Sequence, residues 1–166
     1  MAQIMMLGEV LIDLTQTGTD NKGIPQFAAF PGGAPANVAV AASRLGAQTG
    51  FIGKIGKDAF GAQLRKTLET DYVDTAFLFE SEEVPTTLAI VSVDANGERS
   101  FSFFRDPGAD TQLLKEEAIA FLNRELPFIL HFGSLSLTTE PSRSAALEAA
   151  QRAREKGVLI SYDPNY

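Results

Sequence analysis

The sequence predicts an α/β fold in which a doubly wound, mostly parallel sheet carries a small β lid. Short apolar runs typical of buried strands alternate along most of the chain with stretches whose apolar residues recur at helical spacing. Two stretches, residues 15–30 and 86–105, interrupt this alternation with strand-like patterns, so we expect them to leave the main sheet and pair with each other as the lid. A Gly32-Gly33 pair directly before a helix start lets a ligand approach the backbone closely.

Length and composition indicate one ordinary globular domain. The chain has 166 residues, of which 45% are hydrophobic and 21% are charged, so it can bury a core. The net charge of −7 argues against nucleic-acid binding, and no block of like charges indicates a membrane surface. The absence of cysteine excludes disulfides, thiolate metal sites and cysteine nucleophiles. The short N-terminal apolar run lacks the features of a signal peptide or membrane span, so we expect a cytoplasmic protein.

The first strand is predicted to carry an acid at its end. Residues 4–7 form a short apolar run that stops at Gly8, and residues 10–14 continue it around Asp13. Both runs read as one buried strand with Asp13 at or near its carboxyl end, where open α/β sheets bind their ligands. The alternative is that Asp13 is a turn or capping acid. The polar stretch that follows contains a loop near residues 21–23, with strand character on both sides.

The Gly32-Gly33 pair introduces a helix over residues 34–45. Pro35 suits its first turn, because the N–H groups of that turn have no partner within the helix. Nearly every residue of the helix is small and apolar, which predicts burial on several sides. Asn37 interrupts this pattern, and a buried amide needs hydrogen-bond partners. The pair is therefore either a tight turn before a core helix, with Asn37 bonded to the backbone, or part of a binding site.

Strand and helix alternate again in the middle of the chain. Gly46 ends the helix, residues 49–52 form a strand, and Asp58 is placed to cap the next helix. A further strand is expected over residues 72–79. Apolar residues at four-residue spacing predict that one face of the second helix packs in the core: Phe60, Leu64 and Leu68.

The second excursion reads as a β-hairpin. Residues 88–94 and 99–105 are strand-like and flank Asn96-Gly97, a strong turn signal between such runs. Serine and phenylalanine alternate in the second run, which gives it one polar and one apolar face. Arg105 ends the hairpin.

The last third returns to the α/β alternation. We expect a helix over residues 113–122, a compact strand over residues 128–132, and a helix that begins at Pro141 and stops at Gly157. A final strand over residues 158–162 reads as buried.

Three acids follow predicted strands, at the edge where the glycine pair and Asn37 are also expected: Asp13, Glu140 and Asp163. One carboxylate can accept hydrogen bonds from two neighbouring hydroxyls, and an amide side chain both donates and accepts. This set suits a polyhydroxylated small molecule such as a sugar. It does not suit a metal site, because the sequence shows no close cluster of histidine and acids. The sequence also lacks a P-loop, a dinucleotide-binding glycine motif after the first strand, and a local signature of a Ser-His-Asp triad.

Several segments of the chain match one family of enzymes. They are Gly8-Glu9-Val10-Leu11-Ile12-Asp13, Pro31-Gly32-Gly33-Ala34-Pro35-Ala36-Asn37-Val38-Ala39, Phe51-Ile52-Gly53-Lys54-Ile55-Gly56, Phe104-Arg105, Thr139-Glu140-Pro141 and Ser161-Tyr162-Asp163-Pro164-Asn165. Through them the whole chain resembles the ribokinase-like, or PfkB-type, carbohydrate kinases, and within that family the fructokinases. The resemblance implies a three-layer, Rossmann-like fold with a small β lid.

The resemblance also implies roles for individual residues. One acid accepts hydrogen bonds from sugar hydroxyls, the glycine pair and an amide complete the cradle, and the end of the hairpin closes over the sugar. The implied sugar-binding residues are Asp13, Gly32, Gly33, Asn37, Phe104, Arg105 and Glu140. The residues implied on the side of ATP and its Mg²⁺ are Asp163 and Asn165. Closure of the lid would exclude water from phosphoryl transfer.

The family's second signature does not occur in this sequence. It carries a Gly-Ala-Gly-Asp turn, whose amides stabilise phosphate charge and whose aspartate is the catalytic base. The arginine that usually follows Asp163-Pro164-Asn165 is also missing. We therefore expect residues 1–166 to be the N-terminal portion of one kinase domain, without its C-terminal ATP-binding and catalytic portion. No catalytic residue or metal ligand is expected in this chain, and no catalysis by it alone.

The leading hypothesis is the sugar-recognising part of an ATP-dependent fructokinase, which transfers the γ-phosphoryl group to the terminal primary hydroxyl of fructose. A non-catalytic sugar-binding or dimerisation module is the alternative from a different class. The acceptor also stays open to another ketose, a 2-keto-3-deoxy sugar acid or a nucleoside. Lid strands often form a dimer contact in this family, so a homodimer through the lid strands is a further expectation.

Overall fold

Two β-sheets and the helices around them make up the chain in a computed structural model that describes residues 2–93, 99–124 and 126–165. The strands are β1 (Ile4–Leu7), β2 (Leu11–Thr19), β3 (Pro25–Gly32), β4 (Thr49–Gly56), β5 (Asp74–Ser81), β6 (Leu88–Val93), β7 (Arg99–Phe104), β8 (Ile129–Gly133) and β9 (Leu159–Asp163). The α-helices are α1 (Ala34–Arg44), α2 (Ala59–Thr70), α3 (Lys115–Ile119) and α4 (Ser142–Glu155).

The larger sheet is parallel and has the strand order β5-β4-β1-β8-β9. Helices α1 and α2 cover one of its faces, over a core that includes Phe51, Ile55 and Leu64. Helices α3 and α4 cover the other face, over a core that includes Ile52 and Leu130. The prediction of a doubly wound, mostly parallel sheet is thereby confirmed.

The first strand is shorter than predicted, and its end redirects the chain. β1 stops before Gly8, and the predicted continuation over residues 10–14 is wrong because β2 belongs to the second sheet. Asp13 is therefore not at the carboxyl end of the first strand. The reason lies at Gly8, which has a φ of 150°. A Cβ atom there would lie 2.7 Å from both the Pro35 ring and the Ser136 hydroxyl, so the backbone turns out of the sheet where only glycine fits.

The smaller sheet is built from the two predicted excursions, residues 15–30 and 86–105. Its strand order is β3-β2-β6-β7. β2 pairs antiparallel with β3, and β6 pairs antiparallel with β7. The two hairpins are joined by parallel pairing of β2 with β6. The expectation that the excursions leave the main sheet and pair with each other is confirmed.

A polar turn closes the first hairpin of the smaller sheet. The loop predicted near residues 21–23 is present between β2 and β3, where the Asp20 carboxylate accepts hydrogen bonds from two backbone N–H groups of the turn at 2.8 and 2.9 Å. The Asn96-Gly97 turn predicted for the second hairpin lies outside the described residues.

Helix α1 begins where the sequence predicts but is buried only along one stripe. Pro35, Ala36 and Ala39 face the core, whereas Asn37 and Val38 are exposed. The expected burial on several sides, with a buried Asn37 amide, is therefore wrong. The physical reason is that α1 forms an outer layer on the sheet, so only the side chains that face the strands are buried.

Helix α2 has the predicted cap. The Asp58 carboxylate accepts a hydrogen bond from the backbone N–H of Gly61 at 2.8 Å, and Leu64 and Leu68 are buried as expected from their spacing. Helix α4 ends before Gly157, whose φ of 85° stops it as predicted. Within the part of the chain that the structure describes, no helix combines the length and the apolar character needed to cross a membrane.

The single helix expected over residues 113–122 is wrong. This segment folds as α3 between two 3₁₀ turns, Ala109–Gln112 and Ala120–Asn123. The ammonium group of Lys54 in β4 donates to a backbone carbonyl of the first turn at 3.2 Å and to both carboxylate oxygens of Glu117 at 2.8 and 2.9 Å. This largely buried ion pair holds the segment against β4, and the tertiary contact overrides the helical periodicity of the sequence.

Strand β9 is an exposed edge, whereas the sequence predicted a buried strand. Leu159, Ile160 and Tyr162 are 68%, 37% and 46% exposed. The reason is pairing on one side only, because β8 is the one neighbour of β9 among the described residues.

Candidate functional site

The carboxyl ends of the main sheet strands form one half of the candidate site. A Cβ atom on Gly133, the last residue of β8, would lie 3.6 Å from the Pro35 ring and 3.7 Å from the Asn165 amide nitrogen. Gly33 directly precedes α1 with a φ of 106°. The start of α1 and the segment after β9 therefore meet at the same edge of the sheet.

Glu9 is a buried acid at this edge that the sequence pattern did not single out. It is 2% exposed. Its Oε1 accepts a hydrogen bond from the backbone N–H of Ala34 at 3.2 Å, and its Oε2 accepts one from the Ser136 hydroxyl at 3.5 Å. Burial raises the pKa of the Glu9 carboxyl, and backbone hydrogen bonds and nearby Arg105 offset this only in part. Glu9 joins the exit of β1 to the start of α1 and the exit of β8.

Asp13 lies on the smaller sheet, directly opposite Phe30 of β3. A Cβ atom on Gly32 would collide with the Asp13 carboxylate. The absence of a side chain at Gly32 therefore makes room for the carboxylate. Across the sheet, Asp13 is in register with Ala89 of β6, which is in register with Phe103 of β7. Residues in register point to the same face, so two half-exposed phenylalanines flank the carboxylate. Partial burial raises the pKa of the Asp13 carboxyl.

The phenylalanine on the same face as Asp13 is Phe103, not the predicted Phe104. Phe104 is in register with Leu88 and, through it, with Ile12, which is fully buried on the opposite face. Phe104 itself is 62% exposed at the end of β7. The alternation of serine and phenylalanine in β7 was the signal for Phe103, but it does not say which face of the sheet carries the acid.

Arg105 has protein partners that the sequence did not predict. Its Nε and Nη2 lie 2.8 and 2.7 Å from Oδ2 of Asp110, an acid that the sequence pattern also missed. Nη2 also donates to the Leu135 carbonyl and Nη1 to the Thr138 hydroxyl, both at 3.2 Å. Arg105 thereby connects the end of the smaller sheet to the segment after β8.

Two predicted residues share a recess beside the smaller sheet. Asn37 and Gly32 both line a small hollow between α1 and α2, together with Pro31 and Val40. The exposed amide of Asn37 is thus one helical turn from the glycine pair, on the side away from the core.

The remaining predicted residues lie after β8 and β9. Glu140 is exposed at the start of α4, where its Oε2 accepts a hydrogen bond from the backbone N–H of Ser144 at 3.1 Å; hydrogen bonding to Ser144 lowers the pKa of Glu140. Asp163 ends β9, and its Oδ1 accepts a hydrogen bond from the backbone N–H of Asn165 at 2.9 Å. Both acids therefore have local backbone partners of the kind found at caps and turns.

The arrangement is chemically suited to a hydroxylated ligand. A carboxylate between two aromatic rings offers hydrogen-bond acceptors to hydroxyls and apolar walls to the carbon skeleton. Within residues 2–93, 99–124 and 126–165, no group of three or more His, Cys, Asp or Glu side chains is close enough to hold a metal ion.

Comparison with known proteins identifies a shared family pattern. The profile of the pfkB family carbohydrate kinases matches residues 1–166. A relative in Arabidopsis thaliana named probable fructokinase-3 is 45% identical over 164 residues, which cover 98% of this chain and 47% of the relative. The chain spans about half the length of the curated relatives it matches.

Solved structures show the same fold in proteins of that description. The crystal structure of fructokinase with bound ATP from Xylella fastidiosa aligns with a TM-score of 0.89 at 36% identity, over 100% of this chain and 53% of that one. A fructokinase double mutant from Vibrio cholerae O395, with fructose, ADP and potassium ion bound, aligns with a TM-score of 0.81 at 35% identity, over 100% and 51% of the two chains.

Replacing Glu9 by glutamine should stabilise the fold at neutral pH. The pKa of Glu9 is raised in the folded state, so folded protein holds its proton more tightly than unfolded protein does. Stability should therefore fall as the pH rises from about the ordinary value of 4.5 through the raised value. Glutamine keeps an acceptor for Ala34 and can donate to Ser136 without carrying a charge.

Urea unfolding of wild type and Glu9→Gln at several pH values between 4 and 8 measures this effect. The difference in unfolding free energy should grow with pH in favour of the variant and then level off. If the unfolding free energies of the two proteins changed with pH in parallel, the result would show that ionising the buried Glu9 carboxyl costs no stability.

Proposed function

The chain belongs to the pfkB family of carbohydrate kinases, and from that premise we propose that it is the sugar-recognising, N-terminal part of an ATP-dependent fructokinase. The reaction transfers the γ-phosphoryl group of ATP to the terminal primary hydroxyl of fructose and gives fructose 6-phosphate and ADP. The kinase relatives favour this enzyme over a non-catalytic sugar-binding or dimerisation module.

The observation that carries the proposal is the setting of Asp13. The half-buried carboxylate stands between Phe30 and Phe103, and Gly32 leaves room for it. Two adjacent hydroxyls of a sugar can donate to its two oxygens, while the rings cover the less polar faces of the sugar. The raised pKa of Asp13 reflects lost solvent, and sugar hydroxyls would replace that solvent.

The other sugar contacts come from the edges of the same cleft. Gly33, which has no side chain, allows the sugar to approach the backbone at the start of α1, and the exposed amide of Asn37 offers a donor and an acceptor. Arg105 closes the cleft from the end of β7, and Glu140 adds an acid from the start of α4, whereas Phe104 lies on the other face of the sheet. In this assignment the smaller sheet, β3-β2-β6-β7, is the lid. A closed lid would keep water away from the phosphoryl group.

ATP and Mg²⁺ are the proposed cofactors. Asp163 ends β9 and Asn165 follows it, at the carboxyl edge of the main sheet, and we assign both to the side of ATP. Bound Mg²⁺ would neutralise charge on the transferring phosphate groups. We place the reaction in the cytoplasm, where ATP is available to free sugars.

The catalytic half of the enzyme is proposed to lie outside residues 1–166. The chain spans about half the length of its relatives, and the Gly-Ala-Gly-Asp signature does not occur in it. The exposed apolar side chains of β9 supply a sheet edge to which further strands of the kinase domain could pair.

A homodimer through the lid strands is part of the proposal. β3 and β7 are the outer strands of the lid, and each is paired on one side only among the described residues. Half-exposed Phe30 and Phe103 add apolar surface to the same sheet.

Sugar-dependent ADP release by the protein from its complete coding sequence tests the function. We expect activity with fructose above that with other ketoses, a 2-keto-3-deoxy sugar acid or a nucleoside. Residues 1–166 alone should release no ADP, because the proposed base is not among them. Preference for another acceptor would change the substrate, and inactivity with all of them would contradict the kinase assignment.

Asp13→Asn should lower kcat/KM for the sugar by about 100-fold, because two charge-assisted hydrogen bonds worth about 1.5 kcal/mol each are lost. Gly32→Ala should have a similar effect, since its methyl group would displace the carboxylate. Asp20→Asn, at the exposed tip of the same hairpin, is the control and should leave sugar kinetics unchanged. Equal losses in all three variants would mean that the hairpin, not the carboxylate, matters.

Light scattering coupled to size-exclusion chromatography measures the oligomeric state of the same protein. We expect twice the monomer mass, and Phe103→Ser should shift the mass towards the monomer by removing apolar surface from the lid. A wild-type protein that elutes with the mass of one chain would contradict the dimer.

A further inference from the structure

Both legs of the β6–β7 hairpin end on one buried carboxylate. Thr87 directly precedes β6, and Arg105 directly follows β7. The Thr87 hydroxyl donates to Oδ1 of Asp110, while Nε of Arg105 donates to Oδ2 at 2.8 Å. Each oxygen of Asp110 thus holds one leg of the hairpin.

The surroundings of Asp110 are fitted to this double contact. The Asp110 side chain is 1% exposed and the Arg105 side chain 11%. Gly108 lies so close to Thr87 that a Cβ atom there would collide with the threonine hydroxyl. The backbone N–H of Ala109 donates to the Pro85 carbonyl at 2.9 Å, which fixes the Asp110 turn against the entry to β6.

Arg105 extends this contact to the main sheet. Its guanidinium also binds the Leu135 carbonyl and the Thr138 hydroxyl, in the segment that follows β8. These contacts and the ion pair occupy most of its N–H groups, so its orientation is set by Asp110 before any ligand arrives.

We propose that Asp110 is a positioning residue that clamps the two legs of the β6–β7 hairpin and orients Arg105 at its base. The inference rests on the proposed function, in which this hairpin belongs to the lid over the sugar. The clamp ties both legs of the hairpin to the turn that carries Asp110 and, through Arg105, to the segment after β8.

Asp110→Asn tests the clamp with little change of shape. Both Asp110 oxygens accept hydrogen bonds, whereas asparagine keeps one acceptor and turns an NH₂ donor towards either Thr87 or Arg105. It also removes the charge that balances the buried guanidinium. The Thr87 hydroxyl can accept from that NH₂ group, so the Arg105 leg, which loses its charged partner, should be weakened most.

The first readout is steady-state kinetics of the protein from its complete coding sequence. We expect Asp110→Asn to raise KM for the sugar at least tenfold, with KM for ATP within twofold of wild type. A purely structural role would reduce the active fraction, so kcat would fall while KM for the sugar stayed unchanged. That second pattern would overturn the proposal.

The second readout is amide hydrogen exchange, which does not depend on kinase activity. Exchange in Leu88–Val93 and Arg99–Phe104 should be at least tenfold faster in Asp110→Asn, with β1 and β4 unchanged. Glu117→Gln is the matched control, because it breaks the similarly buried Lys54–Glu117 pair away from the hairpin. Equal exchange of the hairpin in both variants would overturn the clamp.

Thr87→Val covers the case in which Asp110→Asn does not fold. Valine matches threonine in shape and removes only the hydroxyl that reaches Asp110, while the ion pair with Arg105 stays. Faster exchange confined to the hairpin supports the clamp, and wild-type exchange overturns it. If the wild-type protein phosphorylates no acceptor, the proposed function fails, and the exchange data alone decide the role of Asp110.

Discussion

At Gly8 the backbone of the first strand passes within side-chain distance of Pro35 and Ser136, and the rest of the structure depends on this close approach. It stops β1, turns the chain into the smaller sheet, and brings the start of α1 beside the end of β8. Glu9 follows directly and binds both of these elements through its carboxylate. Without the turn at Gly8, the chain would not pass from the main sheet into the smaller sheet that carries Asp13.

The sequence was sufficient for features that depend on local pattern. The alternation of strands and helices, the two excursions, the Asp58 cap and the helix stop at Gly157 all follow from neighbouring residues. The sequence was not sufficient for features that depend on contacts between residues far apart in the chain. The change of sheet after Gly8 and the broken helix over Lys54 depend on partners far away in the chain. The same limit applies to the site, since strand register alone separates Phe103 from Phe104.

Three acids outside the predicted site, Glu9, Asp58 and Asp110, connect its elements. The pKa values of Glu9 and Asp58 are shifted in opposite directions by their surroundings. Burial raises the pKa of Glu9, and hydrogen bonds from the backbone offset this only in part. Burial acts in the same direction on Asp58, yet its pKa is lowered, because hydrogen bonds from Thr86 and Gly61 outweigh burial. The Asp58 carboxylate accepts hydrogen bonds from Thr86, and the Asp110 carboxylate accepts one from Thr87. Two carboxylates therefore bind successive residues directly before β6. The sequence singles out only Asp58 among them, and only as a helix cap, because a connecting role depends on what surrounds the carboxylate.

The parallel pairing of β2 with β6 has a consequence for how the molecule assembles. These central strands of the smaller sheet are separated in the chain by β3, α1, β4, α2 and β5. Bringing them together closes a long loop, and the entropy lost in that closure is recovered only after the intervening strands have found their places. We therefore expect the smaller sheet to be completed late in folding. Until β6 pairs with β2, the β2–β3 hairpin has one unpaired edge.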